Sequence, residues 1–284
     1  MSTTVHEPTG ETPVRISEAS VLAVLASGER PTPPGRVASS LTHGWRALLK
    51  IKHVPEQLFD VTMFPVMMLL LFSFLFGGAL GGSVRDYVQT FVPGILVSSV
   101  LMITMYTGVG LNNDMAKGVS DRFRSLPSWR PGAIVGALLG DAVRYAISSV
   151  VIITLGVVLG FRPGGGPVGV LAGVAVLLAF AFAVSWVWTL LGLALETEKA
   201  VMGTSMMILF PLTFGSNIYV DPETMPGWLQ RVVELNPVSQ VVTAVRALMD
   251  GSVEAGQLGW VALASVLFVV VFAPLTMRRY TRHD

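Results

Sequence analysis

Residues 163–195 read PGGGPVGVLAGVAVLLAFAFAVSWVWTLLGLAL, 33 consecutive positions without a charged side chain. A helix needs roughly 20 apolar residues to cross about 30 Å of hydrocarbon, and this run exceeds that even when its Gly- and Pro-rich start is set aside. It is continuous, whereas the strands of a membrane barrel would be alternating segments of roughly 10 residues. Four more charge-free runs, at 61–84, 87–113, 200–220 and 255–277, are each long enough. A further run at 131–161 is apolar apart from Asp141 and Arg144. The pattern predicts an all-α polytopic membrane protein with six transmembrane helices, at about 57–80, 88–111, 133–160, 168–195, 200–220 and 257–277.

Composition points the same way. Of 284 residues, 52% are hydrophobic and 13% are charged, against about 25% charged in soluble domains. So little charge could not cover the cores that a water-soluble chain would need. A soluble enzyme, a disordered chain and a nucleic-acid binder are excluded on this ground, and the net charge of +1 leaves no global basic field. The absence of cysteine removes disulfides, thiolate metal sites and Cys nucleophiles.

Orientation follows from the distribution of Lys and Arg between the two sides. With the N-terminus inside, 14 of them fall on the cytoplasmic side, and only Arg85, Arg162, Arg231 and Arg246 on the other. The prediction is N-in, C-in. Residues 1–40, rich in Thr, Glu, Pro and Ser, read as a mobile cytoplasmic tail, and 41–284 as the transmembrane domain.

Three segments are not spans. Leu41, Trp45, Leu48 and Leu49 share one helical stripe, with His43, Arg46, Lys50 and His53 opposite. Trp45, Arg46 and Lys50 then mark an amphipathic helix in the headgroup layer, the alternative being an ordinary surface helix. The cytoplasmic loop 112–131 presents Asp121, Arg122, Phe123 and Arg124. An aromatic between guanidinium groups suits docking to another protein and equally suits arginines that only bind lipid phosphates. Between spans five and six, Val238, Val241, Val242, Val245, Leu248 and Met249 follow a helical period after the breaker Asn236-Pro237. That stretch predicts two short outer helices, either re-entrant or lying on the surface.

Catalytic and metal-binding constellations are missing from the sequence. The histidines (His6, His43, His53 and His283) all lie outside the spans, and no phosphate-binding loop fits around the lysines at 50, 52, 117 and 199. No catalytic, cofactor-binding or metal-binding residue is predicted in this chain. Asp141 and Arg144, spaced i, i+3, are ionisable groups well inside the bilayer; they read as a mutually neutralising pair or as part of a gate. Spans two and five are rich in Met and aromatics, including Met102, Tyr106, Met206 and Phe210. Such residues suit either a promiscuous apolar ligand or plain helix packing.

Several strings carry a family resemblance: Leu41-Thr-His-Gly-Trp45, His53-Val-Pro-Glu-Gln-Leu-Phe-Asp60, Gly118-Val-Ser-Asp-Arg-Phe-Arg-Ser-Leu-Pro127, Gly140-Asp-Ala-Val-Arg-Tyr145 and Val220-Asp-Pro-Glu-Thr-Met-Pro-Gly-Trp-Leu229. Together with the six-span layout they resemble the membrane subunit of an ABC-2-type exporter, within the daunorubicin/doxorubicin-resistance permease branch. The resemblance implies a bacterial plasma-membrane permease for drug efflux, with no enzyme activity of its own. It implies two copies of a separate cytoplasmic ATPase that hold ATP and Mg²⁺, and a second permease subunit forming a homodimer among membrane lipids. Asp121, Arg122, Phe123 and Arg124 become the contact with the ATPase. Met102, Tyr106, Met206 and Phe210 become candidate contacts for a small-molecule substrate. The alternatives are a lipid or glycan exporter on the same scaffold, or an intramembrane enzyme.

Overall fold

The computed structural model describes residues 55–117, 132–220, 222–252 and 254–282. The tail at 1–40, the segment with Trp45, Arg46 and Lys50, and the loop with Asp121, Arg122, Phe123 and Arg124 lie outside the described residues. Among the described residues the chain forms eight α-helices and no strand. They are α1 (Pro55–Gly81), α2 (Val84–Ala116), α3 (Gly132–Leu159), α4 (Gly166–Ala194), α5 (Glu198–Phe214), α6 (Gly227–Leu235), α7 (Pro237–Asp250) and α8 (Ala255–Arg282). A single 3₁₀ turn, Pro222–Thr224, precedes α6.

Four of these helices are long and apolar enough to cross a membrane: α2, α3 from Ile134, α4, and α8 as far as Tyr280. The chain is a polytopic helical membrane protein. The described apolar stretch of α1, Thr62–Gly78, and helix α5 are shorter. A segment of 17 residues rises only about 26 Å, and here structure and sequence differ. The fifth apolar run extends to residue 220, whereas the helix stops at Phe214.

The physical reason is a side chain that arrives from 21 residues further on. Asn236 is buried, and its Nδ2 donates to the carbonyls of Leu212 at 2.7 Å and Gly215 at 2.8 Å. Its Oδ1 accepts the Val238 amide at 2.9 Å and so caps the start of α7. One amide thus closes the end of α5 and opens α7, with Pro237 filling the first helical position, where no N–H is needed. Asn112 makes the corresponding closure elsewhere: its Nδ2 donates to the carbonyls of Gly192 (3.0 Å) and Leu195 (2.7 Å) at the end of α4.

α2 is the central element. It packs against α1, α3, α4, α5 and α7 and is buried along most of its length. Its contact with α4 is made backbone to backbone. A Cβ on Gly108 would overlap the carbonyl oxygen of Trp188, and one on Gly192 would overlap that of Gly108. Small residues let membrane helices approach this closely. At the other end, Gln89 Nε2 donates to Gly160 O at 2.9 Å and its Oε1 accepts the Arg162 amide at 2.9 Å, tying α2 to the turn before α4.

α7 is amphipathic at the helical period read from the sequence. Val238, Val241, Val242, Val245, Leu248 and Met249 are all buried, against α2, α4 and α8. The shorter α6 buries Val233 but exposes Trp228, Val232 and Leu235. On α8, Trp260, Leu263, Leu267 and Val270 form an exposed apolar stripe of the kind that hydrocarbon tails cover.

Asn236→Leu is expected to lower the thermal stability of the detergent-solubilised protein by the equivalent of about 2–4 kcal/mol, because two partly buried carbonyls lose their donor. Asn236→Asp keeps the acceptor for Val238 but sets a carboxylate against those carbonyls, so it should lose at least as much. A melting curve for Asn236→Asp that overlays the wild type would show that the donors do not matter.

Candidate functional site

The four candidate pathway residues fall on neighbouring helices, two on α2 and two on α5. Met102 and Tyr106 are half-buried and pack on the main core, whereas Met206 and Phe210 are exposed. Met105 and Leu209, which share their faces, go fully into the core. The large apolar side chains that α5 exposes are Met206, Met207, Ile208, Phe210 and Phe214.

That surface continues through stacked rings. Phe210 stacks on Phe214 with centroids 4.3 Å apart, and Phe214 on Tyr219 at 4.8 Å. Tyr219 meets Phe72 of α1 at 5.4 Å, and Phe72 stacks on Phe91 of α2 at 5.5 Å. Phe91 in turn stacks on Tyr87 at 5.0 Å. The separations lie in, or for Phe210–Phe214 just below, the range of roughly 4.5–7 Å where aromatic pairs attract. Sequence reasoning missed this ladder, although the i, i+4 pairs Tyr87/Phe91 and Phe210/Phe214 were a legible signal.

Deeper in the bundle a polar network joins α2, α3 and α4. Asp141 Oδ1 accepts from Arg144 Nη1 at 2.7 Å, and its Oδ2 accepts from Thr107 Oγ1 of α2 at 2.7 Å. Both charged side chains are mostly buried. One turn along α3, the Tyr145 hydroxyl lies 2.8 Å from Ser185 Oγ of α4 and 3.4 Å from Thr107. Trp188 Nε1 donates to Thr104 Oγ1 at 2.7 Å, and the hydroxyls of Ser99 and Ser148 meet at 2.8 Å. A carboxylate in an apolar bundle needs such partners. Of these residues only the ion pair stood out in the sequence, because hydroxyl side chains do not interrupt an apolar run. Among the described residues no three His, Cys, Asp or Glu side chains gather as metal ligands would.

A cavity of about 470 Å³ opens where the start of α2, the chain after α5 and the end of α7 meet. Tyr87, Phe91 and Tyr219 supply aromatic walls, and Asn217, Arg246 and Asp250 supply polar groups. Arg246 is a strut: Nε donates to Thr90 O of α2 at 2.9 Å and Nη2 to Ile218 O at 3.3 Å. Gly94 makes room for this, since a Cβ there would press on Ile218 and on the Arg246 guanidinium. Burial holds the Asp250 carboxyl above its ordinary value, and the Arg246 charge pulls it the other way.

Removing one member of the Asp141–Arg144 pair leaves the other charge buried, so Asp141→Ala and Arg144→Ala should each cost about 3–5 kcal/mol. The double variant Asp141→Leu/Arg144→Leu should recover much of that loss. Folded yield and melting temperature of the three variants measure this; a double variant worse than both single ones would contradict it.

Residues 41–249 match the family described as ABC-2 type transporter. The chain is 48% identical over 257 residues to the daunorubicin resistance ABC transporter permease protein DrrB1 of Streptomyces coeruleorubidus, covering 90% of this chain and 91% of that protein. It is 24% identical over 223 residues to the probable doxorubicin resistance ABC transporter permease protein DrrC of Mycobacterium tuberculosis, covering 77% and 80%. It is also 25% identical over 211 residues to the putative transport permease ycf38 of Cyanophora paradoxa, covering 73% and 72%. With a bundle of membrane-length helices and a family match across most of its length, the chain belongs to the ABC-2 type transporter family.

Proposed function

We propose that this chain is the permease subunit of an ABC exporter that moves an amphipathic drug or natural product out of the cell, with ATP hydrolysed in a separate subunit. The observation that carries this reading is the 48% identity, over nine-tenths of both chains, to a permease named for daunorubicin resistance. The sequence itself supports a division of labour, because it offers no phosphate-binding loop around its lysines.

In this reading two identical permeases stand side by side in a bacterial plasma membrane, each with six spans and both termini inside. α1 to α5 and α8 supply the spans, and α6 and α7 lie at the outer mouth. Two cytoplasmic ATPases bind ATP and Mg²⁺. Asp121, Arg122, Phe123 and Arg124 sit against the ATPase, and its closure pushes on the adjoining ends of α2 and α3. The Asp141–Arg144 pair, bonded to Thr107, ties those two helices together so that the push is shared. The pathway runs along α2 and α5, where Met102, Tyr106, Met206 and Phe210 offer soft apolar contacts that accept ligands of varied shape. Alternating access follows when ATP-driven closure switches the interface from inward-facing to outward-facing.

Inverted vesicles that contain the permease and its ATPase should accumulate a fluorescent anthracycline when given ATP, and not when given a non-hydrolysable analogue. No accumulation despite an assembled complex would remove that drug class. Arg122→Glu/Arg124→Glu should abolish co-purification of the ATPase and with it ATP-driven uptake. Retained binding together with retained uptake would count against the coupling role of the loop.

A further inference from the structure

Pro93 lies in the buried stretch of α2, the helix around which the others pack. A proline inside a helix has no N–H to give to the carbonyl four residues back, here Gln89, and its ring crowds that turn. Membrane helices tolerate this where neighbouring groups attend to the disturbed backbone. In this chain Arg246 of α7 does so: its Nε donates at 2.9 Å to the carbonyl of Thr90, three residues before the proline. The same guanidinium reaches Ile218 O at 3.3 Å through Nη2. One side chain therefore joins α7, the weak turn of α2 and the chain after α5.

The two sides of Pro93 are held differently. Beyond it, α2 meets α4 main chain to main chain at Gly108 and Gly192. α7 is anchored on α4 in the same way: the Gly165 amide donates to Met249 O at 2.7 Å, and a Cβ on Gly165 or Gly169 would overlap the Leu248 carbonyl. Residues 84–92 meet the chain after α5 through side chains instead. The rings of Phe91 and Tyr219 stand 6.0 Å apart across that seam, and the Arg246 bonds cross it. The other tie on this segment runs from Gln89 to Gly160 and Arg162, away from the seam. Beside Arg246 the cavity of about 470 Å³ leaves space into which the seam can open.

We propose that α2 carries a hinge at Pro93 and that Arg246 is its latch. With both bonds made, residues 84–92 are held against Ile218 and the cavity stays narrow. When they part, that segment swings away, the buried Ile218 is uncovered and the cavity widens. As a property of the fold the latch needs this chain alone; as the gate of a transport cycle it rests on the export reading.

The chain has no native cysteine, so a single introduced thiol reports its own surroundings. Ile218→Cys reports on the seam, and Leu177→Cys, fully buried in α4, reports on global unfolding. In the detergent-solubilised full-length permease a water-soluble maleimide should modify Ile218→Cys slowly. Adding Arg246→Met should raise that rate at least about tenfold, the scale of one lost charge-assisted bond, and leave Leu177→Cys protected. Gln89→Met removes two hydrogen bonds at the same end of the bundle and should not raise the rate. Pro93→Ala restores the missing N–H, so Arg246→Met/Pro93→Ala should label close to the wild-type rate. An unchanged rate in Arg246→Met overturns the latch, as does an equal rise in Gln89→Met, and undiminished labelling in the double variant overturns the hinge. If Arg246→Met unfolds, seen as labelling of Leu177→Cys, the Ile218→Cys protein with Arg246 intact decides. Assembled with its ATPase, it should label faster when a non-hydrolysable ATP analogue holds the ATPase closed, and an unchanged rate overturns the proposal. Vesicle uptake is read separately. ATP-driven uptake without nucleotide-dependent labelling removes the gate alone, whereas an assembled complex without uptake removes the export reading and keeps a latch seen in the permease by itself.

Discussion

A helix that ends inside an apolar bundle leaves carbonyl oxygens with nothing to accept from, and lipid offers no water to replace the missing donors. The architecture of this chain depends on meeting that demand twice with the same chemistry. Asn112 of α2 closes the last turn of α4, and Asn236 at the start of α7 closes α5. Each amide can donate two bonds, and in both cases both are spent on carbonyls at a helix end. The second closure also fixes where α7 begins and so sets the depth at which its apolar face enters between α2, α4 and α8.

The long elements were legible because hydrophobicity over 20 or more residues is a local property. The run at 163–195 contains α4, and the run at 87–113 contains most of α2. α2 continues past the apolar run at both ends, since Ser83 caps it before residue 87 and Asn112 and Asn113 find partners on α4, Leu195 and Glu198. The end of α5 was not legible. Hydropathy cannot register that a side chain from residue 236 will pair its carbonyls. The buried face of α7 was legible, because a period of 3.6 writes itself into the spacing of Val238, Val241, Val242 and Val245.

The functional surfaces were read less completely. Periodicity places Ser98, Met102, Met105 and Tyr106 together, but α2 is surrounded by five helices, so Met105 and Ser98 are buried and Met102 and Tyr106 keep only part of their surface. The cavity draws Tyr87, Asn217, Arg246 and Asp250 from three segments far apart in the chain, and no spacing rule could bring them together. The polar network was half visible: Asp141 and Arg144 break an apolar run, while Thr107, Tyr145 and Ser185 pass as ordinary span residues.

The meeting of Gly108 with Gly192 restricts how the bundle can move. Sliding α2 by one turn would bring Thr104 or Asn112 to the place where Trp188 presents its carbonyl, and either side chain would collide where even a methyl group does not fit. A one-turn slide of α2 along α4 is therefore blocked, and the two helices are held to one register. Whatever rearrangement opens a passage must be accommodated at other seams of the bundle, where side chains rather than main chains meet and a rotamer change can absorb the shift.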